Sequence, residues 1–379
     1  MFSRIPLKRF SRPRYCHRVS CHGKLEVLQH GTPGSHFVFA ESRAFSSQPK
    51  SDPWEDGRHL PSTIWPGARG DFLRDGYTVL PQIIDQELVA HCKDHLEHLV
   101  KKFPGIPTEH LHHVIYRNDP FWIRLVSDPR LLDCAAAHAD FLRDGIALFS
   151  SNYFCKQPRS GQPVLWHQDG SYWALRPMNV CTIWLAVDYS GPENGGMQVV
   201  RGTHKDQLKS LVSDRDAVLN VLGARTHTDE DLAGHREAGN ILNLILEPGD
   251  VAFFHPNIIH GSPANTSDYR RCGLTIRYIP PSVECTDPSQ PVMMLRGESI
   301  PSINSYRSWP PFRPEYDFCG DLTAEWNVQR RIEMTDPEPD YFKDQSLEAL
   351  QAQTAEIHKD LEKFIGLLGG WSIEDNRGK

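Results

Sequence analysis

No stretch of the sequence approaches the roughly 20 consecutive apolar residues that a helix needs to cross a bilayer, which excludes a helical membrane span. CxxC pairs are also missing. The nine cysteines are odd in number and scattered, which argues against a disulfide framework and for a reducing compartment, with each thiol expected to be buried. There is no excess of positive charge: the net charge is −7 and the pI about 6.2. The chain therefore has no basic footprint for nucleic acid, and a small molecule is the expected partner. The N-terminal segment combines an absence of acidic residues with a crowd of basic ones. No acidic residue precedes Glu26, while Arg4, Lys8, Arg9, Arg12, Arg14, Arg18 and Lys24 crowd the same segment. That is the bias of a mitochondrial transit peptide, and Ser42-Arg43-Ala44-Phe45-Ser46-Ser47 resembles a matrix processing site. Pro6 and Pro13 weaken a presequence helix, and a plain basic extension on a cytoplasmic protein is the alternative. A peroxisomal tripeptide is not found at the C-terminus, which reads Asn376-Arg377-Gly378-Lys379.

What is there suits one large domain with appendages. We read residues 1–46 as the transit segment, 47–69 as a linker rich in Pro, Gly and Ser, 70–310 as the catalytic domain and 311–379 as a Pro-rich segment with a terminal helix. In the domain, Asp85 caps a helix whose stripe Leu88, Cys92, Leu96 and Leu99 is expected to pack on the outside of a sheet. Strands are expected at Ile146 to Lys156, Val164 to Asp169, Val180 to Asp188, Met197 to Val200 and Val251 to His255, with Glu193-Asn194-Gly195-Gly196 as a hairpin turn. Lys205 to Gly239, polar and aperiodic, reads as a lid or substrate loop. Beyond Pro280 the chain is Pro-rich and irregular until Ser346 to Leu368, an amphipathic helix that covers the barrel or pairs two copies, so a monomer or a homodimer is expected. Short antiparallel strands with turn signals describe a mainly β fold, a double-stranded β-helix (jelly roll, cupin-like) with flanking α-helices.

The chemistry concentrates in Trp166-His167-Gln168-Asp169 and, far downstream, His260. On an extended chain His167 and Asp169 lie at i and i+2, on one face and roughly 6.6 Å apart. On a helix they would point about 200° apart. Two imidazoles and one carboxylate form the face of an octahedron that leaves positions open, the ligand set of a non-haem iron(II) oxygenase site, whereas a structural zinc site would be closed. In a chain with 19 histidines the HxD pair alone is a weak signal, and its surroundings carry it. Arg271 to Tyr278 alternates: Cys272, Leu274, Ile276 and Tyr278 make one apolar face, and Arg271, Gly273, Thr275 and Arg277 a polar one. Arg271, not Arg270, belongs on the polar face, where a guanidinium can hold a carboxylate in a bidentate pair.

These residues resemble the phytanoyl-CoA dioxygenase family over roughly Phe72 to Pro280. The likeness rests on Phe72-Leu73-Arg74-Asp75-Gly76-Tyr77, read as a first strand, on Trp166-His167-Gln168-Asp169, on Asn194-Gly195-Gly196 with Arg201-Gly202-Thr203-His204-Lys205, and on His260-Gly261-Ser262 with Asn265 and Arg271. The resemblance implies a jelly-roll fold and an Fe(II)- and 2-oxoglutarate-dependent oxygenase that consumes O2. Iron would be held by His167, Asp169 and His260. The cosubstrate would be held by Arg271, with Trp184 and Asn152 lining its pocket. Halogenating relatives replace the carboxylate that Asp169 retains, which argues against halogenation. Fatty acyl-CoA, amino-acid and secondary-metabolite substrates all fit, as do hydroxylation, desaturation, epoxidation and ring closure. An inactive 2-oxoglutarate- or iron-binding protein and another metal-dependent enzyme on the same fold share these residues.

Other residues near these motifs have plainer readings. Trp166, Tyr172 and Trp173 are expected in the core rather than as a cage for a cation. His255 is expected to be a hydrogen-bonding neighbour of the site, Asp188 and His204 turn residues that satisfy backbone groups, and Lys156 a snorkelling surface lysine. Arg277 shares the face of Arg271 and is a candidate for contacting an acidic substrate.

Overall fold

The computed structural model describes residues 71–108, 111, 118–213, 224–287, 292–323, 326–327 and 346–367. The expected transit segment and linker lie outside them. Ten strands build the framework: β1 (Tyr77–Leu80), β2 (Gly145–Lys156), β3 (Val164–His167), β4 (Cys181–Ala186), β5 (Gln198–Val200), β6 (Ile241–Asn243), β7 (Val251–Phe254), β8 (His260–Ser262), β9 (Arg271–Ile279) and β10 (Met293–Gly297). They form two antiparallel sheets, one ordered β1-β7-β4-β9-β2-β10 and the other β3-β8-β5-β6.

The period-two alternation gives the large sheet two different faces. From β9, Cys272, Leu274, Ile276 and Tyr278 join Ile183, Leu185, Val251 and Phe253 in the main core. That core is closed by α1 (Gln86–Lys102), α2 (Pro120–Val126) and α3 (Pro129–His138). The Asp85 side chain caps α1 by accepting from the Leu88 amide at 2.8 Å, and the expected stripe faces inward. Both α2 and α3 start with a proline behind a capping aspartate, Asp119 and Asp128. On the opposite face, Trp184, Ala186, Ala252 and Phe254 meet Met197 and Val199 of the small sheet, which gives the two-layer packing of a jelly roll.

Three local readings are corrected and the terminal helix is placed. Phe72–Asp75 is one helical turn, capped by Asp71 and stopped by Gly76 at φ 86°, so the first strand begins only at Tyr77. The Asn194-Gly195 turn does not make a hairpin, because β4 and β5 belong to different sheets. It carries the chain across the sandwich. Beyond Pro280 the chain is not wholly irregular: β10 adds an edge to the large sheet beside β2. Finally, the terminal helix α4 (Leu347–Leu367) rests near the end of α1, where its Leu350 carbonyl accepts from the Tyr316 hydroxyl at 3.0 Å. The described parts of the 205–239 segment meet the end of β3 at Lys209 and Thr226. The Thr226 amide donates to the Trp166 carbonyl at 2.9 Å, and the Lys209 amide to the Gln168 side chain at 3.1 Å.

Candidate functional site

β3 ends at His167, and the expected continuation through Asp169 is replaced by a tight turn, Asp169–Ser171. The Gly170 amide leaves the strand to bond the Pro256 carbonyl at 2.9 Å, which bends the chain. His260 opens β8 and pairs with His167 across the ladder. The two imidazoles are therefore cross-strand neighbours, with ring centroids 4.1 Å apart, and the turn swings Asp169 between them. His167 Nε2 lies 3.4 Å from Asp169 Oδ1, and His260 Nε2 lies 4.0 Å from Asp169 Oδ2.

Both imidazoles have their tautomer fixed by the main chain. Each Nδ1 faces a carbonyl two residues back, Leu165 O at 2.8 Å and Ile258 O at 3.0 Å. A carbonyl only accepts, so each Nδ1 carries the proton and each Nε2 presents a lone pair. Burial, reinforced by the neighbouring His167 ring, pushes His260 down to about 4, which keeps it neutral at neutral pH. Burial alone would raise the Asp169 carboxyl. Opposing hydrogen-bond and charge effects, the Arg277 guanidinium among them, outweigh it and hold the group well below the usual carboxylate range. Asp169 Oδ1 accepts a short hydrogen bond from the Tyr172 hydroxyl, while Oδ2 is buried with no partner. Two lone pairs and an orphaned carboxylate oxygen, all within 4.8 Å of one another, form a donor set without a proton to share. Such a set fits a cation.

The three residues open into a cavity of about 80 Å³ between the sheets, walled also by Phe154, Trp184, Met197, Phe254, Arg271 and Arg277. Arg271 is buried on the cavity side. Its guanidinium donates to the carbonyls of Gly195 at 2.9 Å and Phe154 at 3.4 Å, and lies 5.5 Å from the Trp184 ring. Arg270 faces away, paired with Asp188 at 2.8 Å. Gly273 makes the indole's position possible, because a Cβ there would lie 2.1 Å from Trp184 Cζ2. Gly273→Ala is expected to displace Trp184 and to cost about 1–3 kcal/mol by overpacking, measured as a lower melting temperature. An unchanged melting temperature would show that the indole has room to move.

Lys156 is not on the surface. It is 2% exposed, and its Nζ donates to the Ser262 hydroxyl at 2.7 Å and to the carbonyls of Ser262 and Pro263, tying β2 to the strand that carries His260. Those acceptors lie more than a hundred residues away, so no local pattern announces them. Asn152, expected at the cosubstrate, is not among the cavity-wall residues. Its side-chain oxygen accepts from Thr275 Oγ1 at 2.7 Å and from Arg277 Nη1 at 2.7 Å. Asp188 pairs with Arg270 and, at 3.9 Å, with Lys93 instead of capping a turn. Tyr172 lines the cavity, and the cation over Trp173 is the protein's own Arg277, 5.4 Å from the ring. Trp166 faces the 205–239 segment and donates to Asp229 at 3.2 Å. His204 bonds the Leu73 carbonyl through Nε2, and His255 Nδ1 accepts from the Asn257 amide at 3.1 Å. Among the described residues no cysteine is disulfide-bonded.

Known proteins place this geometry in context. The sequence profile of the family described as phytanoyl-CoA dioxygenase (PhyH) matches residues 72–273. The phytanoyl-CoA dioxygenase domain-containing protein 1 homolog of Caenorhabditis briggsae is 31% identical over 134 residues, 33% of this chain and 44% of the relative, so the chain spans less than half of that relative's length. The L-proline trans-4-hydroxylase of Streptomyces griseoviridis is 25% identical over 258 residues, 62% of this chain and 94% of the relative. A solved structure of the apo non-heme monooxygenase ThoJ superposes with a TM-score of 0.52 at 19% identity, over 78% of this chain and 99% of that one, a likeness of fold. The profile covers more than half of the sequence and takes in both sheets from β1 into β9, and the chain belongs to the phytanoyl-CoA dioxygenase (PhyH) family.

Proposed function

We propose that the protein is an Fe(II)- and 2-oxoglutarate-dependent oxygenase that oxidises a C–H bond of a small organic substrate, by hydroxylation in the simplest case. The observation that carries this reading is the convergence of two backbone-locked Nε2 lone pairs and the orphaned Asp169 Oδ2 at one wall of the cavity that also holds Arg271. His167, Asp169 and His260 would hold the iron. Arg271 would pair with the distal carboxylate of 2-oxoglutarate, with the Trp184 indole as the adjoining wall. When bound, iron and 2-oxoglutarate supply the oxidising chemistry: the cosubstrate is decarboxylated to succinate and CO2 as O2 is reduced, and one oxygen atom goes to the substrate.

The protein's own part is positional. His260, kept neutral by burial, need lose no proton to act as a ligand, and Asp169 is already ionised. Tyr172 fixes one carboxylate oxygen, which leaves the other directed at the imidazoles. Apolar walls from Phe154, Val164, Met197 and Phe254 limit water in the cavity. Retention of Asp169 favours oxygenation over halogenation.

The reading is tested by anaerobic titration with iron(II) and then 2-oxoglutarate, following the visible charge-transfer band of the chelate. Unmutated protein should form the band. Arg271→Ala should lose about 1.5–3 kcal/mol of 2-oxoglutarate binding, the contribution of hydrogen bonds to a charged group. A folded protein that binds iron but never forms the band would move the assignment to another metal chemistry.

A further inference from the structure

Arg277 is the charged residue of the cavity wall for which this reading has no use, and its setting is unusual. It lies on the same face of β9 as Arg271, six residues on, which puts the two Cα atoms roughly 20 Å apart along the strand. The Arg277 head is held in place by neutral groups only. Nη1 donates to Asn152 Oδ1 at 2.7 Å and to Thr275 Oγ1 at 2.8 Å, and the guanidinium lies 5.4 Å from the Trp173 ring. Nε is buried with no partner, and among the described residues no carboxylate lies within ion-pair distance. The Asn152 oxygen also takes the Thr275 hydroxyl, so its capacity is spent on orienting the cation. A cation that is partly desolvated and oriented, with no carboxylate in contact, is costly to the fold unless something else supplies the countercharge.

Counting charge on the loaded cavity shows where that countercharge comes from. Iron(II), the 2-oxoglutarate dianion, Asp169 and Arg271 cancel as a set. The Arg277 guanidinium is then the surplus charge among the described wall residues. We infer that Arg277, backed by Trp173 and oriented by Asn152 and Thr275, is the anchor for an anionic substrate, a monocarboxylate matched to the planar guanidinium. This rests on the oxygenase reading and narrows its substrate class. The three metal ligands line the same cavity, so the bond to be oxidised belongs a few carbons from the acid group. Asn152 is then a positioning residue.

The test uses the full chain loaded anaerobically with iron(II) and 2-oxoglutarate, after the charge-transfer band has been seen. Binding of three acids, hexanoate, benzoate and N-acetylproline, is measured by calorimetry against the primary amide of each. At least one acid should bind tenfold or more tighter than its amide. Arg277→Gln should abolish that preference, Arg277→Lys should keep part of it, and the 2-oxoglutarate concentration that half-saturates the band should move less than threefold in either variant. Acids and amides binding alike, no acid binding at all, or an acid preference intact in Arg277→Gln would each overturn the assignment. So would a variant whose main defect is in 2-oxoglutarate affinity, which would make Arg277 part of the cosubstrate site. If the unmutated protein forms no band, the oxygenase reading has failed first, and the inference falls with it.

Discussion

His260→Ala and Asp169→Ala are each expected to abolish succinate release and to weaken iron(II) binding by more than about 100-fold, since changes merely adjacent to a metal ligand already cost about 10–100-fold. The geometry gives each residue a separate part in that loss. Without His260, the ladder still holds His167 on β3, but the second lone pair 4.1 Å away in ring-centroid terms is gone. Without Asp169, the Tyr172 hydroxyl loses its acceptor and the site keeps no negative charge of its own. His255→Ala is the control. That imidazole stands five residues before His260, is pushed down to about 4 chiefly by burial, and packs against His204 rather than the cavity. Equilibrium iron binding and succinate assays on folded protein decide the matter, and metal affinity left intact in Asp169→Ala would exclude it as a ligand.

The second large effect concerns the fold. Asp119→Ala should destabilise the protein by about 3–5 kcal/mol, the loss typical of breaking a buried pair from one side, and lower the melting temperature by roughly 10 °C. Asp119 does two jobs at 5% exposure. Oδ1 accepts from the Trp122 amide at 2.9 Å and caps α2, while Oδ2 accepts from His95 Nε2 at 3.0 Å. His95 Nδ1 in turn shares a hydrogen bond with the Tyr153 hydroxyl at 3.1 Å, linking α1 to β2 inside the core. Burial pushes the Asp119 carboxyl up, but His95, Lys102 and the Trp122 amide outweigh it and bring it to about 2. The sign follows. A depressed folded-state value contributes stability that is complete above the unfolded value of about 3.9 and lost as pH falls toward 2. Denaturant melts between pH 5 and pH 2 should therefore show a shallower acid decline in Asp119→Ala than in the unmutated protein. Parallel declines would remove Asp119 from the acid response.

The parts that could be read from the sequence are those written in short-range pattern. Alternation in Arg271 to Tyr278 predicts both faces of β9 and separates Arg271 from Arg270. The i, i+2 spacing brings His167 and Asp169 together even though a turn replaces the expected strand end. What escaped depends on partners distant in sequence. Lys156 looks like a surface lysine until Ser262 and Pro263 arrive from β8. Asn152 meets Thr275 and Arg277 only across the β2–β9 ladder. The glycine turn at Asn194-Gly195 was legible as a turn, but whether it joins two strands of one sheet or two sheets is a matter of topology. Every residue of helix α2 but Arg124 is buried, so it has no continuous polar face from which a period could be read.

The imidazole locks bear on how this protein can change. In many metal sites a second side chain, often a carboxylate, orients each histidine, and a single mutation there can spoil the geometry. Here the orienting acceptors are the carbonyls of Leu165 and Ile258, each two residues before the histidine it holds. Every amino acid has a carbonyl, so no substitution at 165 or 258 deletes it. The instruction that aims each imidazole travels with its own strand. Residues of the cavity wall can then be exchanged for new substrates over many generations while the aim of both imidazoles is inherited unchanged.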